Sequence, residues 1–472
     1  MKIFKKILDD KNLSITIKSI SALHIVKYHP LFIEKKKISI FDVAWFIVNF
    51  FLKKIFIILQ IIKNSFKNKE KIDKKEVLII SHLINNKYVN STKDFYFGNL
   101  EILLKKKKIN YTKFMINHTD LSSSNLNYQN KNKNNLILDR YLNLKLEILI
   151  IILKLIAKVE LIYLLILKKI RFQDFKKLFL SLFDFSTSFA LRMHFLIKRY
   201  IKKINPKLCI FTYEGYPWER LCINGIKSFN SEIKCIGYQH TPVSKNHHAI
   251  FKLIKGYYNP DQIWCSQISS FKILQKNIKK KNYIKFIGSL NIPVFKKVKN
   301  KKFKNIRFLV IPEGIYSECK NLFKFSLDLA KKLKKIRFVW RVHPVINLKK
   351  VLQSLGLSEK NIPKNIKISN KNFLSDIKTS NFVLYKGSAA VLKAVLSKNY
   401  PLYHKLPNEK NFDTLIKYFN KENYCRSHND VIKILKNVRE VNFNKKLNNQ
   451  IKKIKKDFFV KPNLKKIISY LE

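Results

Sequence analysis

"IGYQHTPV" spans residues 236–243. It begins as a short apolar strand and ends on a titratable side chain, His240, with Thr241 and Pro242 directly behind it. A strand buried on both faces gains nothing from an imidazole. A loop beyond the carboxyl edge of a parallel sheet does, because ligands of such sheets bind there. The preceding stretch supports the second reading. "LCIFTYEG" (208–215) is another continuous apolar run, and "WERLCINGIKSF" (218–229) lies between the two with helical character. Strand, helix and strand in that order predict a parallel pair.

The pattern extends in both directions. Upstream, "VLIISHL" (77–83) and "YTKFMINH" (111–118) read as strands on either side of a helix, "FGNLEILLKKKK". Such unbroken apolar runs suit strands covered on both faces. "DLSSSNLNYQNKNKNN" (120–135) reads as a surface loop, and 140–203 as long helices inserted into or packed across the first sheet. "QIWCSQ" and "IKFIGSL" are shorter strands. A basic linker, "FKKVKNKKFKN" (295–305), then leads to a second series: "IRFLVIPEG", "IRFVWRVHP" (336–344), "IKIS", "NFVLYKG" (381–387) and "YPLYH", with helices between. The expected fold class is α/β, with two Rossmann-like domains facing a cleft. The expected boundaries are a helical extension over 1–75, a first domain over 76–295 with its helical insertion, a second over 305–430, and a basic helical tail over 431–472. "YEG", "QHTP", "PEG", "RVHP" and "YKGSAA" each end a predicted strand, so all are expected around one cleft.

Charge narrows the partners. The chain has 472 residues, with 95 Lys and Arg against 31 Asp and Glu, a net charge of +64. That balance suits a phosphate-bearing substrate or an anionic membrane surface. Nucleic acid is not expected, since no recognition motif is present. Lysines are spread along the whole chain, and heavy use of Asn and Ile points to compositional bias, which leaves many of them as solvated faces. The six cysteines form no C-x-x-C pair and most sit in apolar stretches, as reduced cytosolic thiols do. The start, "MKIFKKILDDKNLSI", has no cleavable apolar core. Two stretches, 38–62 and 146–167, are strongly apolar but interrupted by charges: Asp42, Lys53 and Lys54 in the first, Lys154, Lys158 and Glu160 in the second. A spanning helix wants about 20 apolar residues with few or no charges. Both are expected instead to dock on the protein body or to lie in the interface of the inner leaflet, flanking lysines meeting anionic headgroups. The expected location is the cytoplasm, peripheral to that membrane.

The candidate site residues follow from the strand ends. In "YKGSAAVLKAV", Gly387, Ser388 and Ala389 open a helix after a strand, where small residues let backbone N–H groups approach a phosphate. Ser388 can be both helix cap and phosphate donor, with a plain N-cap as the alternative. In "FVWRVHP", Arg341 and His343 lie two apart on a strand, so both are expected on one face. Arg binds phosphate bidentately, and His donates to a departing phosphate oxygen. Glu313 and Gly314 end the first strand of that domain, where the carboxylate accepts from a ribose or base, or caps the next helix. In the first domain His240 suits removal of a proton from an attacking hydroxyl, with Glu214 its rival. Trp218, Glu219, Gln239 and Thr241 surround it as acceptor contacts, Trp218 and Tyr238 with faces for a sugar or for the core. No D-x-D stands near a strand end and no His/Cys cluster has zinc spacing, so no obligatory metal or cofactor is expected. Basic side chains and helix N-termini would stabilise the leaving phosphate.

"GYQHTPV" in one series and "PEG…RVHP…GSAAVLKAV…YPLY" in the other resemble the two-domain GT-B glycosyltransferases, within them bacterial surface-carbohydrate and capsule biosynthesis proteins. "QHTP" is similar to the "HGTP" stretch of CDP-glycerol glycerophosphotransferases, whose histidine is linked to catalysis. "RVHP" is similar to the HP motif those enzymes and bacterial sialyltransferases use at nucleotide phosphates. "PEG" resembles the sialyltransferase acidic motif, with one acid in place of two and in the other domain. The resemblance covers roughly 76–405. It implies a nucleotide-sugar donor held by the second domain, with a lean toward CMP or CDP, and a glycan or lipid-linked glycan acceptor, such as a lipopolysaccharide intermediate, held by the first. The alternatives are a glycerophospho- or other polyol-phosphate transferase, a nucleotide-sugar epimerase of the same fold, and a non-catalytic membrane-associated scaffold.

Overall fold

The computed structural model describes residues 2–24, 48, 52, 73–119, 121–139, 142–243, 249–292, 306–343, 346–407, 413–438 and 443–471. The apolar stretch 38–62 lies outside these, Val48 and Leu52 apart, as does the whole of the linker 295–305. The chain divides into two compact units, Met1–Ile292 with Lys461–Glu472, and Pro293–Val460.

The first unit is built on seven strands: β1 Val77–Leu83, β2 Tyr111–Asn117, β3 Asn135–Leu138, β4 Leu208–Thr212, β5 Lys234–Gln239, β6 Gln262–Cys265 and β7 Ile284–Phe286. They form one sheet in the order β3-β2-β1-β4-β5-β6-β7, every pairing parallel. Side chains alternate between two buried cores. Leu78, Ile80, Cys209 and Phe211 enter one, against Leu191 and Cys222 of the helices behind. Val77, Ile79, Leu208 and Ile210 enter the other, with Leu104 and Ile467. Burial of both faces is why these strands read as unbroken apolar runs.

The expected loop 120–135 instead contains helix Ser123–Tyr128 and leads into β3. β3 is an edge strand, and a side chain serves as its outer partner. Asn127 Nδ2 donates to Ile137 O (2.9 Å), and Ile137 N donates to Asn127 Oδ1 (2.8 Å). Asparagines that read as loop composition thus satisfy an exposed strand edge. The 140–203 region forms helices Leu144–Ile166, Phe172–Ser181 and Phe185–Ile204. The N-terminal helices Lys2–Asp9, Ile15–Ser19 and Ser21–His24 share a core with them through Leu8, Ile17, Leu23, Ala157, Leu161 and Leu178. The last helix, Leu464–Leu471, packs on the first sheet, where Asn463 N donates to Ile287 O (2.9 Å).

The second unit carries β8 Arg307–Ile311, β9 Arg337–Trp340, β10 Ile366–Ile368, β11 Phe382–Tyr385, β12 Tyr400–His404 and β13 Tyr424–Cys425. Their order is β10-β9-β8-β11-β12-β13, again all parallel. Phe338, Phe308 and Phe382 stand in register on adjacent strands, with ring centroids 5.0 and 5.1 Å apart. Each stacked pair contributes about 0.5–1.5 kcal/mol beyond its buried area. In each sheet the strand order reverses once, between β1 and β4 and between β8 and β11. Those switch points are where an open parallel sheet leaves room for a ligand.

Candidate active site

At the first switch point the polar residues converge. His82, near the end of β1, sits between two partners. Its Nδ1 is 2.8 Å from His118 Nε2, just beyond β2, and its Nε2 is 3.0 Å from Thr212 Oγ1 at the end of β4. A neutral imidazole donates from one nitrogen and accepts at the other, so these three groups form a directed hydrogen-bond chain. The edges of Trp218 and Tyr96 close around His82 at centroid distances of 5.2 and 5.3 Å. Tyr96 then meets His240 edge to face at 4.6 Å. Across the next loop the Thr241 hydroxyl donates to the Glu214 carboxylate. Four strand ends, one loop and the first turn of one helix therefore supply the cluster.

The loop carrying Glu214 is held from beneath. Pro217 and Glu219 open helix Pro217–Lys227. The buried Glu219 carboxylate accepts from the backbone N–H groups of Glu214 (2.9 Å), Gly215 (2.7 Å) and Tyr216 (2.8 Å). Arg220, fully buried, donates to Gly215 O (3.0 Å), Asn259 Oδ1 (2.8 Å) and Lys252 O (2.6 Å). Gly215 has φ +83°, and a Cβ there would run into the Ala249–Ile250 backbone, so only glycine fits this turn. The next loop is fixed similarly: Gln239, buried, donates to Thr241 O, while His240 O accepts from Gln267 Nε2 (3.0 Å). The Glu219 carboxylate and the Gln239 Nε2 are thus turned onto backbone, and they shape the loops that carry Glu214, His240 and Thr241. Trp218 is half-buried, one edge on His82 and the rest against core residues.

Electrostatics follow from this packing. Loss of solvent holds the His82 pKa well below the usual imidazole range, and the neighbouring His118 and His240 push it the same way. The Tyr96 phenol is raised to about 12, mainly by burial and then by the Glu214 carboxylate. Burial, and then Glu214, push the Glu219 pKa up, against the three backbone donors.

At the second switch point Glu313 follows β8 and Gly387 follows β11. Gly387 has φ +70°, and a Cβ there would overlap the Glu313 carboxylate. β9 stops at Trp340, so the expectation that Arg341 and His343 lie on the strand is corrected: both follow it. The reason lies in what holds Arg341. Its backbone N still bonds Val310 O (3.0 Å), but its Nη1 donates to Asp376 Oδ2 (2.8 Å) and Lys371 O (2.7 Å), with the guanidinium over Phe373. Ser369 Oγ fixes the same Asp376 oxygen (2.6 Å). Burial lowers the His343 pKa. Helix Ala390–Leu396 has Ala389 at its N-cap with no side-chain cap, so Ser388 is not the expected cap; its own N–H closes a tight turn onto Lys386 O (2.9 Å). Gly314 lies in the bend between Glu313 and helix Tyr316–Lys332.

Sequence reasoning missed His82, His118, Tyr96 and Asp376. The signal for the histidines was available, since each lies at the end of a stretch read as a strand, as His240 does. Among the described residues no cluster of three or more His, Cys, Asp or Glu side chains has the geometry to hold a metal ion.

No protein-family model and no curated protein sequence matches the chain. Solved structures do match in shape. The glycosyltransferase of kitacinnamycin is 8% identical with a TM-score of 0.50, over 85% of this chain and 100% of that one. The S. aureus MnaA–UDP structure is 11% identical with a TM-score of 0.49, over 84% and 96%. The UDP-GlcNAc 2-epimerase from Neisseria meningitidis bound to UDP-GlcNAc is 10% identical with a TM-score of 0.49, over 84% and 98%. At such identities the likeness concerns fold alone: two parallel α/β units in one chain, the architecture of GT-B enzymes.

Proposed function

We propose that the chain is a glycosyltransferase that moves a sugar from a nucleotide-activated donor to a hydroxyl of a surface polysaccharide or lipopolysaccharide intermediate. The observation that carries this reading is the gathering of polar side chains at the switch point of each of two parallel sheets. Two such sheets suit two substrates. In the proposal the second unit binds the donor through Glu313, Gly314, Arg341, His343, Gly387, Ser388 and Ala389. The first unit binds the acceptor at Trp218 and Thr241. His240, oriented with Glu214, removes the proton from the acceptor hydroxyl as its oxygen bonds to the anomeric carbon. The bond from that carbon to the donor phosphate breaks, and the freed nucleotide leaves with the electron pair. Arg341, anchored by Asp376, stabilises its charge without a required metal.

The test is a calorimetric and thermal-shift panel of CMP, CDP, UDP, GDP and their sugars. A ligand at about 100 times its Kd stabilises by roughly 2.7 kcal/mol. Binding of one nucleotide class, weakened by His343→Ala and Ser388→Ala, is expected, followed by acceptor-dependent nucleotide release. No stabilisation by any of them would overturn the reading. A sugar inverted without acceptor would convert it to an epimerase.

A further inference from the structure

Helix Leu144–Ile166 is apolar on its outer as well as its inner face. A surface helix normally turns its apolar stripe inward and its charges to water. Here the charged residues after Lys145 face the protein. Glu147, buried, accepts two hydrogen bonds from the buried Arg192 (2.6 and 2.8 Å). Lys154, also buried, donates to Ser188 Oγ (2.9 Å). Lys158 lies over the Phe183 ring at 4.6 Å, and Glu160 accepts from Ser14 N (3.0 Å). Ile150, Ala157, Leu161 and Leu164 are buried beside these charges, yet the opposite face is apolar too: Ile148, Ile152, Leu155, Val159, Ile162 and Ile166 are all exposed, Val159 to 66% and Ile166 to 70%. At about 100° per residue these six fall within an arc of roughly 80°. The helix has 23 residues and so runs about 34 Å. Phe172, 57% exposed, and Phe185, 64% exposed, open the two following helices.

A patch of this length on a soluble surface marks a binding face. Its charge surroundings select the occupant. Exposed Lys145 stands at one end and exposed Lys168, Lys169 and Arg171 at the other, while neither acid of the helix is exposed. Lys176 lies over the Phe172 ring at 4.5 Å, an amphipathic pair of the kind that settles at headgroup level. A second copy of a chain at +64 would bring these cations against their own kind. Among the described residues no helix is long and apolar enough to cross a membrane. We infer that the outward face of helix Leu144–Ile166 docks in the interface of an anionic lipid bilayer, the isoleucine stripe entering the acyl boundary and the lysines at its ends meeting headgroup phosphates. This inference stands apart from sugar transfer, and its test needs no activity.

The full chain is sedimented with vesicles of phosphatidylglycerol and phosphatidylcholine, and with phosphatidylcholine alone. Binding to the anionic vesicles is expected, at least about tenfold weaker in the double variant Ile152→Glu/Val159→Glu, because insertion scales with buried apolar area. Both positions are already exposed, so the melting midpoint should stay put. Lys168→Glu/Lys169→Glu should weaken anionic binding and flatten its salt dependence. All six native cysteines are buried, so Val159→Cys can carry an environment-sensitive fluorophore. Its emission should shift to the blue only when anionic vesicles are added. Undiminished vesicle binding by Ile152→Glu/Val159→Glu would overturn the inference. So would a label already shielded without lipid, which would mean that this face is covered by residues 25–72 or by a second copy.

Discussion

Replacing Gly387 with alanine separates two roles that the second switch point combines. The backbone there has φ +70°, a conformation that costs an L side chain roughly 1–2 kcal/mol. The new Cβ would also overlap the Glu313 carboxylate. That carboxylate is the far end of a flexible side chain, so it swings aside at little further cost. The stability loss should therefore be close to the backbone term alone. Donor binding should suffer for a different reason. If Glu313 accepts a hydrogen bond from the donor, displacing it forfeits a charge-assisted bond of roughly 1.5–3 kcal/mol, or about ten- to a hundredfold in Kd.

A double-mutant cycle reads the two effects apart. Glu313→Ala should weaken nucleotide binding by the same factor while leaving the melting midpoint nearly unchanged. In the Glu313→Ala background, Gly387→Ala should lower the midpoint as before and add almost nothing to the loss of affinity, because the group it displaces has gone. Calorimetric titration of the best nucleotide against the four proteins supplies the affinities. Full affinity in Gly387→Ala, or affinity losses that simply add, would refute the assignment of Glu313 to the donor.

Three further outcomes are expected. His240→Ala should reduce turnover roughly 10²–10⁴-fold with nucleotide affinity intact, Glu214→Gln should cost less, and the double variant little more than His240→Ala; the reverse ranking in initial rates would make Glu214 the base. Burial first, then the nearby Lys386 and His428, lower the His404 pKa to about 4. The unfolded chain then takes up a proton that the folded chain refuses, so stability is lost as pH falls from about 6.5 to about 4, by up to roughly 3 kcal/mol. His404→Phe should remove that part of the acid slope in urea titrations while keeping the stack on Phe325. Glu147→Ala removes the carboxylate that holds the buried Arg192 and should cost roughly 3–5 kcal/mol in unfolding free energy, whereas Glu147→Leu/Arg192→Met should recover much of it.

The strands were legible where burial on two faces wrote them as apolar runs. β1, "VLIISHL", coincides with its quoted stretch, and β12 with "YPLYH". β3 was not legible, because the Asn127 amide that completes its edge belongs to a segment that reads as loop. β13 has two residues, too few for any period to show. Placing polar residues at strand ends brought His240 and Glu214 into view. It could not show that Glu219 and Gln239 turn their polar groups onto backbone, since residue type does not reveal direction. Nor could it reach Asp376, 35 positions from Arg341 and on a helix, which no spacing rule connects to a strand end.

Helix Leu144–Ile166 makes the same point about direction. In sequence, Lys154, Lys158 and Glu160 interrupt an apolar run and argue against a membrane span, because summed hydropathy counts charges wherever they point. Three-dimensional packing assigns each of them a partner inside the protein: Lys154 to Ser188, Lys158 to the Phe183 ring, Glu160 to Ser14. Glu147, Lys154 and Lys158 are spaced by seven and four residues, so they share one face by helical geometry alone. The periodicity worth following in this stretch was that of the charges. With the charges, Ile150, Ala157, Leu161 and Leu164 turned inward, Ile148, Ile152, Ile162 and Ile166 are left facing out, and the helix presents an apolar outer side. Under the docking proposed above, a bilayer covers this face and the lysines at its ends meet its anionic headgroups.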